Sequence, residues 1–286
     1  MSKDIGTSGS GHLLRIMSWN VAGIRARCKK GYLDFLVAGA EEYDIVCFQE
    51  TKAEPGQIEP LIGQGLKSVY KYRYWSVNPG TTQRKGFSGV GVWSKFPCVR
   101  VLEGMDLDTE GRINALEFHG FILVNVYTPN SQELGCERFE FRKLWDNAFY
   151  EYLNNLSLEM AVTGANKPII VCGDFNVAYL DIDIHNPIKY KNKVAGFLDD
   201  ERAGFGRYIE GGNSVFLDAF RFINGGVDSA YTYWNQRMPH LRKNNIGWRI
   251  DYFLVYRSFY DKIRACNILP NIMGSDHCPV VLEIEI

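Results

Sequence analysis

The sequence lacks the features that mark membrane, secreted and zinc-finger proteins. No apolar run in its 286 residues is long enough to span a bilayer, and the N-terminus has no apolar signal-peptide core. The seven cysteines are scattered, odd in number and without Cys-x-x-Cys spacing, which argues against a disulfide framework or a structural zinc site. We therefore expect a soluble intracellular protein with reduced thiols.

The chain also lacks an excess of positive charge, since its formal net charge is -1. No global basic field indicates a nucleic-acid partner, so local patches would have to supply one. Four short patches follow candidate strands, and together they would make a surface that tracks phosphates, although each alone is typical of a solvated loop. They are Arg25, Arg27, Lys29 and Lys30; Arg84 and Lys85; Lys189, Lys191 and Lys193; and Arg237, Arg242 and Lys243.

Hydrophobic residues make up 46% of the chain, which is ample for a core. The Ser/Gly-rich residues 1–13 should form a disordered tail, and residues 14–286 a single domain. Strand-like runs alternate with helical patterns, of which the clearest helix runs from Arg138 to Leu158. The pattern further predicts strands at 231–234 and 248–256 and a helix near 214–222. This order predicts two β-sheets packed face to face with helices outside, and it suggests two similar halves.

The strongest motif is Gly173-Asp174-Phe175-Asn176. The apolar run before it predicts a buried strand that Gly173 stops, so Asp174 and Asn176 should emerge together at the strand's C-terminal end. A carboxylate that can deprotonate a water, two residues from an amide that can donate to a developing oxyanion, suits attack on a phosphate ester. Taken alone, the same four residues are equally typical of an Asx turn that closes a strand.

Oxygen-bearing side chains stand at the ends of other predicted strands. Glu50, with Asn20 and Asp276, would form an oxygen-only set that suits Mg²⁺ or Mn²⁺ rather than zinc. The alternative for Glu50 is a strand-end charge in solvent.

Asp251 lies in an aromatic strand, where a carboxylate must find a partner, and His277 is a natural one. An Asp that orients one imidazole nitrogen leaves the other free to contact a phosphate oxygen or an activated water. A lone loop His is more often a surface residue, and Tyr127, which precedes Thr128-Pro129, could equally be a core aromatic.

These residues belong to segments that resemble, in order and spacing, the exonuclease III family of apurinic/apyrimidinic (AP) endonucleases. The segments are Ser18-Trp19-Asn20-Val21, Gln49-Glu50-Thr51-Lys52, Ser88-Gly89-Val90-Gly91-Val92, Gly111-Arg112, Tyr127-Thr128-Pro129-Asn130, Gly173-Asp174-Phe175-Asn176-Val177-Ala178, Trp248-Arg249-Ile250-Asp251-Tyr252 and Gly274-Ser275-Asp276-His277. The resemblance runs from about Leu14 to the C-terminus. It implies an α/β fold, the four-layered DNase I-like sandwich of two packed mixed β-sheets flanked by helices.

The resemblance also implies hydrolysis, with Mg²⁺ or with Mn²⁺ in its place, of the phosphodiester 5′ to an abasic site in duplex DNA, leaving a 3′-hydroxyl. 3′-Phosphodiesterase and 3′→5′ exonuclease activities stay open beside it. The implied metal residues are Glu50, Asn20, Asp276, Asp174 and Asn176. The implied catalytic residues are Tyr127 at the scissile phosphate, Asp174 as the base, Asn176 and His277 on the charged oxygens, and Asp251 behind His277.

The implied partner is duplex DNA with an abasic or 3′-blocked lesion, bound by a monomer without membrane contact, with base-excision-repair proteins as further partners. The expected location is the nucleus of a eukaryote, or otherwise the cytoplasm. The candidates for DNA contact are Arg25, Lys29, Lys30, Arg112, Asn130, Tyr233, Trp234, Arg237 and Trp248. The candidates for a pocket that binds the flipped-out sugar are Trp234, Trp248 and Ile250. Tyr233 would stand at the wall of this pocket, and Arg237 would fill the gap that the sugar leaves in the DNA helix. For Trp234 the alternative is a core residue.

Three positions depart from the family pattern. Ala22 stands where many relatives carry Asp or Asn, which predicts weaker metal binding, Tyr233 where they often have Phe, and Arg237 where some use Met. Two other functions compete with the leading one. They are a phosphatase or deadenylase of the same fold, and a non-catalytic DNA-binding or redox-partner protein.

Overall fold

The computed structural model describes residues 11–38, 42–77, 86–164, 167–210 and 215–286. Over these ranges, twelve strands form two six-stranded mixed sheets. The strands are β1 (Leu13–Asn20), β2 (Ile45–Gln49), β3 (Tyr72–Ser76), β4 (Val90–Ser94), β5 (Arg100–Val101), β6 (Ile113–Glu117), β7 (Ile122–Tyr127), β8 (Ile169–Asp174), β9 (Phe216–Asp218), β10 (Asp251–Tyr256), β11 (Ile263–Ile268) and β12 (Val280–Glu285). The first sheet has the order β11-β12-β1-β2-β4-β3, and the second β5-β6-β7-β8-β10-β9.

The two sheets share one pattern of pairing. In each, a central parallel pair, β1 with β2 or β7 with β8, is flanked on both sides by antiparallel pairs. The similarity of two halves suggested by the sequence is therefore a similarity of topology. Because parallel strands end at the same edge of a sheet, the side chains that follow the four central strands emerge at one edge of the sandwich.

Helices cover the outer faces of both sheets. The helices of the described chain are α1 (Ile24–Lys29), α2 (Phe35–Ala38), α3 (Pro55–Ile58), α4 (Gln64–Val69), α5 (Glu137–Thr163), α6 (Pro187–Tyr190), α7 (Asp199–Ile209), α8 (Ala219–Asn224) and α9 (His240–Lys243), with short 3₁₀ helices at Glu59–Leu61, Asp181–Asp183 and Arg257–Lys262. Of these, α1 to α4 pack on the first sheet and α5 and α7 on the second, whereas the start of α8 packs in the core between the sheets. In α5, Trp145, Phe149 and Leu153 pack on the second sheet, at the four-residue spacing that gives a helix one buried face. The predicted four-layered sandwich is confirmed.

The inner faces of the sheets meet in an apolar core that contains a buried polar bridge near the shared edge. Gln49 Nε2 donates to Ser18 Oγ at 3.0 Å and to Asn125 Oδ1 at 2.7 Å. Asn125 Nδ2 in turn donates to the carbonyl oxygens of Phe48 at 3.1 Å and Gly91 at 3.0 Å. Since buried polar groups are costly unless they are paired, these bonds favour one register between the sheets.

Several local predictions are wrong in detail. Among residues 231–234 only Tyr233 forms bridges, and they are isolated, so no strand forms there, and β10 begins at Asp251 instead of 248. The segment near 214–222 contains β9 and the start of α8 instead of one helix, and β11 was not predicted. The local pattern cannot show these differences because they depend on which partner strand is in reach.

Two predictions fall wholly or partly outside the described residues. Of the expected tail over 1–13, residues 1–10 lie outside them, whereas Leu13 is described and pairs with Glu285 in the first sheet. Arg84 and Lys85 also lie outside. Within the described chain, α5 is 27 residues long, yet neither it nor any other helix is apolar enough to cross a bilayer.

Candidate active site

Polar side chains from both sheets meet at the shared edge. Asn20 and Glu50 come from the C-terminal ends of β1 and β2, and Asp174 from that of β8. Asp251 begins β10 directly opposite Asp174, and His277 lies in the loop before β12. The structure thus brings together five residues that are distant in the sequence.

The side chain of Asn20 connects the two sheets. It is fully buried, and its Nδ2 donates to Glu50 Oε1 at 3.0 Å and to Asp174 Oδ2 at 2.8 Å. Its Oδ1 accepts the backbone N–H of Ala22 at 3.0 Å. Because a backbone N–H can only donate, the amide oxygen faces away from the carboxylates. In this conformation Asn20 holds the two acids in place through its amide nitrogen, and its role as a metal ligand stays a prediction.

Glu50 has a strained backbone and a charged partner. Its φ of 52° lies in the left-handed region, which costs roughly 1–3 kcal/mol for such a residue. The Glu50 carbonyl accepts the N–H of Gly23 at 2.7 Å, which helps to hold this conformation. Lys52 Nζ lies 2.5 Å from Glu50 Oε2. Burial raises the pKa of Glu50, but Lys52 and the Asn20 amide outweigh burial and lower it, so the carboxylate is ionised.

Asp174 is almost completely buried, with 1% of its surface exposed. Its Oδ1 accepts the backbone N–H of Asn176 at 2.8 Å. Burial raises the pKa of Asp174 to about 7, with His277 opposing the rise and the carboxylates of Asp251 and Glu50 adding to it. A carboxylate that titrates near neutrality is suited to act as a base.

Asp251 and His277 form the predicted pair, and Thr232 completes it. Asp251 Oδ2 lies 2.8 Å from His277 Nδ1, and the other ring nitrogen lies 3.9 Å from Asp174 Oδ2. Burial lowers the pKa of His277, but the carboxylates of Asp251 and Asp174 outweigh it and raise the pKa to about 10. Thr232 Oγ1 donates to Asp251 Oδ2 at 2.5 Å. Thr232 was not found from the sequence, where a Thr in an aromatic run is typical of any strand.

Asn176 is fixed by the loops that follow β7 and β8. Its φ of 49° is one that Asn adopts more readily than most residues. Its Nδ2 donates to the carbonyl of Thr128 at 2.9 Å, and its Oδ1 accepts from Asn130 at 3.2 Å. The buried guanidinium of Arg142 donates to the carbonyls of Phe175 at 3.0 Å and Pro129 at 2.7 Å, which ties the two loops together.

Tyr127 lines the site, and Arg112 lies behind it. The Arg112 guanidinium stacks on the Tyr127 ring at 4.4 Å, donates to the Tyr127 carbonyl and pairs with Glu110 at 2.6 Å. Only 1% of Arg112 is exposed, so the prediction that it contacts DNA is wrong for this conformation. Burial and the nearby Glu50 carboxylate raise the pKa of Tyr127 well above its usual value, so its hydroxyl stays protonated.

A cavity of about 610 Å³ opens beside these residues. Its polar end contains Glu50, Tyr127, Asn130, Asp174, Asn176, Asp276 and His277. Its other end is largely apolar and contains Tyr190, Val194, Ala195, Gly196, Tyr233, Met238, Leu241, Ile246, Trp248 and Ile250. The polar side chains of His185, Lys189 and Asn235 also line the cavity. Of the predicted pocket residues, Tyr233, Trp248 and Ile250 line the cavity. Met238 and Leu241 were not found, because the segment that carries them has no periodic pattern.

Trp234 does not line this cavity. It is 3% exposed and packs with Tyr231, Cys278 and Ile268. The Arg242 guanidinium covers its ring at 4.7 Å. Tyr233 faces the cavity, whereas its chain neighbour Trp234 packs in the interior. The prediction of Trp234 as a pocket residue is corrected to its alternative, a core residue.

The other predicted DNA contacts divide by exposure. Arg25, Lys29 and Lys30 are exposed on or just after α1, which follows the Asn20 loop. Arg237 is exposed but does not line the cavity, whereas Asn130 and Lys189 do. Two members of the basic patches have structural partners instead. Arg27 donates to the carbonyl of Val21 at 2.7 Å, and Arg242 to those of Ser275, Pro270 and Ile272, each at 2.8 Å.

The donor set fits a divalent cation. Among the described residues, Glu50, Asp174 and His277 offer potential ligand atoms within 4.8 Å of one another. Asp276 lines the same cavity outside this set, and its Oδ1 accepts from Ser275 Oγ at 3.2 Å. Because the raised pKa of His277 keeps both of its ring nitrogens protonated at neutral pH, Glu50 and Asp174 are the candidate ligands of this set. Two carboxylates without a thiolate are typical of sites for hard cations.

Comparisons with known proteins agree with this geometry. A model of the Endonuclease/Exonuclease/phosphatase family matches residues 17–277. The exodeoxyribonuclease of Bacillus subtilis is 40% identical over 277 residues, which cover 96% of this chain and 100% of that protein. The DNA repair nuclease APEX1 of Danio rerio is 38% identical over 277 residues, covering 96% and 83%. Among solved structures, the AP endonuclease LMAP from Leishmania major has a TM-score of 0.79 at 26% identity, covering 96% and 88%.

Proposed function

The chain belongs to the endonuclease/exonuclease/phosphatase family, in the group of exodeoxyribonucleases and AP endonucleases, and from this we propose that it is a Mg²⁺-dependent DNA-repair endonuclease. It hydrolyses the phosphodiester 5′ to an abasic site in duplex DNA and leaves a 3′-hydroxyl. One observation carries the proposal. A buried Asp174–His277–Asp251 cluster that suits phosphate chemistry lies at the polar end of a cavity whose other end is apolar and walled by Trp248 and Ile250.

Asp174 is the proposed base. Its carboxylate holds the attacking water and takes its proton, and Asn20 and the Asn176 backbone N–H fix its two oxygens for this task. Because the pKa of Asp174 is raised to about 7, its carboxylate is ionised in a large fraction of the molecules at neutral pH. The same carboxylate is still basic enough to accept a proton.

His277 and Tyr127 are the proposed phosphate contacts. With a pKa raised to about 10, His277 is a cation at neutral pH, and it donates from Nε2 to a phosphate oxygen while Asp251 holds Nδ1. The Tyr127 hydroxyl donates to the same phosphate, and Asn176 supplies a further amide donor. These groups stabilise the negative charge that grows on the phosphate oxygens.

Glu50 and Asp174 are the proposed holders of the metal, with Asp276 near it. When bound, a divalent cation would polarise the phosphate and lower the pKa of a nearby water. Lys52 is close enough to Glu50 to balance its charge before a cation binds.

The apolar end of the cavity is the proposed site of the abasic sugar. A nucleotide without its base has lost its pairing and stacking, so it leaves the duplex more cheaply than an intact one. Trp248 and Ile250 offer apolar contact to the sugar. The exposed Arg25, Lys29 and Lys30 would contact phosphates nearby, which compensates for the net charge of -1.

An end-labelled duplex with one tetrahydrofuran abasic analogue tests the proposal. The wild-type protein in Mg²⁺ should cut 5′ to the lesion and leave an end that a polymerase extends, and EDTA should abolish cutting. Asp174→Asn is the matched variant, because it keeps the size of the side chain and removes the base. An intact duplex, a 3′-phosphorylated primer, a soluble phosphate ester and poly(A) are assayed in parallel. Preferential hydrolysis of the ester or of poly(A), with the abasic duplex left intact, would refute the proposal.

A further inference from the structure

The side chain of Tyr233 lines the cavity between His277 and Trp248. Its ring lies 4.9 Å from that of His277 and 6.5 Å from that of Trp248, measured between centroids. Its backbone N–H donates to the carbonyl of Trp248 at 2.9 Å, and its carbonyl accepts from Trp248 at 3.0 Å. Tyr233 therefore stands between the polar and apolar ends of the cavity.

The hydroxyl of Tyr233 can form a hydrogen bond with a bound ligand. Across the part of the chain that the structure describes, no hydrogen bond to this hydroxyl is formed, although the side chain is partly buried. Burial, and after it the carboxylates of Asp276, Asp174 and Glu50, raise the pKa of Tyr233 to about 12, so the hydroxyl keeps its proton at neutral pH. In ligand cavities with apolar walls, a few placed polar groups of this kind fix orientation and specificity.

Base loss creates one new polar group on the nucleotide, the hydroxyl on C1′ of the sugar. Under the proposed function, the phosphate on the 5′ side of this sugar lies against His277, and the sugar lies against Trp248. The ring of Tyr233 lies near both of these side chains and lines the same cavity, so the proposed sugar lies beside Tyr233. A Phe at this position would present only an apolar edge to the same sugar.

We propose that Tyr233 is a specificity-determining residue whose hydroxyl forms a hydrogen bond with the C1′ hydroxyl of the abasic sugar. This inference rests on the proposed function and adds a preference to it. The protein distinguishes a hydrolytic abasic site from an isosteric site without the C1′ hydroxyl. The bond is formed with the group that base loss exposes, so an intact nucleotide cannot form it.

The test combines a change in the protein with a change in the substrate. The variant Tyr233→Phe removes one hydroxyl and keeps the ring against His277 and Trp248. The paired duplexes carry either a natural abasic site, made by enzymatic removal of uracil, or tetrahydrofuran, which lacks the C1′ hydroxyl. Single-turnover cleavage to the 3′-hydroxyl product is measured for all four combinations in Mg²⁺. Tyr256→Phe, which removes a hydroxyl outside the cavity, is the control.

The quantity of interest is the rate on the natural site divided by the rate on tetrahydrofuran. Since a neutral hydrogen bond contributes about 0.5–1.5 kcal/mol net, this ratio should fall about threefold to tenfold in Tyr233→Phe and stay unchanged in Tyr256→Phe. An unchanged ratio in Tyr233→Phe would overturn the inference. If the rates on both substrates fall equally, the hydroxyl contacts the phosphate instead of the C1′ hydroxyl, and the inference is likewise overturned. Both results leave the proposed function intact, whereas a wild-type protein that cuts neither duplex refutes the proposed function itself.

Discussion

Substitutions of Trp234 and of Trp248 can distinguish a role in core packing from a role in substrate recognition. Trp234 is 3% exposed in a small apolar cluster, whereas Trp248 is partly exposed and lines the cavity. We predict that Trp234→Ala lowers stability with little effect on substrate choice. Trp248→Ala should do the reverse, because its ring excludes from the cavity a sugar that still carries a base.

The expected size of the stability change follows from burial and chain length. Truncating a buried Trp to Ala costs about 3–5 kcal/mol. With an unfolding entropy of about 2.1 cal/mol/K per residue, each kcal/mol lowers the Tm of a 286-residue chain by roughly 1.7 °C, so Trp234→Ala should lower it by roughly 5–8 °C. Trp248→Ala should lower it by less than half as much, because part of that ring is already in contact with solvent.

Differential scanning calorimetry gives the Tm, and cleavage of paired abasic and intact duplexes gives the discrimination. Since apolar contacts in a pocket contribute about 1–3 kcal/mol to specificity, Trp248→Ala should narrow the abasic preference about tenfold or more. Unchanged discrimination in Trp248→Ala together with a fall in Tm as large as that of Trp234→Ala would refute the assignment of Trp248 to the pocket.

Three further predictions concern the polar end of the cavity. Glu50→Gln should lower the cleavage rate by orders of magnitude and raise the Mg²⁺ concentration required, while circular dichroism shows an intact fold. Ala22→Asp should lower the Mg²⁺ concentration required. Equal wild-type activity in EDTA and in Mg²⁺ would exclude the metal assignment. Asp251→Asn and His277→Ala should be strongly non-additive in kcat/KM, because one orients the other, and losses that multiply would show independent roles. The cleavage rate should rise as the pH passes about 7, where Asp174 loses its proton, and fall as the pH passes about 10, where His277 loses its proton. A pH–rate profile of His277→Gln that keeps the alkaline fall would contradict the assignment of that fall to His277.

Much of the fold could be predicted from the sequence because its strands are strongly patterned. The buried run before Asp174 and the helical stripe around Trp145 each follow from local periodicity. Strand order could not be predicted in this way. The pairing of Leu13 with Glu285 joins residues from opposite ends of the sequence, and no local pattern encodes a partner at that distance.

The candidate site could be predicted as a set of residues but not as a set of contacts. The sequence indicated Asp174, Asp251 and His277 because several such groups stand at the ends of predicted strands and belong to segments that resemble one family in order and spacing. It did not reveal which way the amide of Asn20 turns, since that depends on the backbone N–H of Ala22. Nor could it show that Arg112 is buried, since an Arg beside a Gly in a loop is typical of an exposed residue.

The position of β12 between β11 and β1 has a consequence for biosynthesis. The Trp19 ring nitrogen donates to the carbonyl of His277, a contact that spans 258 positions of the sequence, and contacts of such separation form late in folding. All six strands of the second sheet precede β12 in the sequence. His277 is therefore the last of the site residues to be synthesised, after every strand of the sheet that carries Asp174. A nascent chain that stalls before residue 277 lacks the imidazole that pairs with Asp251, so we expect it to cut DNA far more slowly than the chain that contains His277.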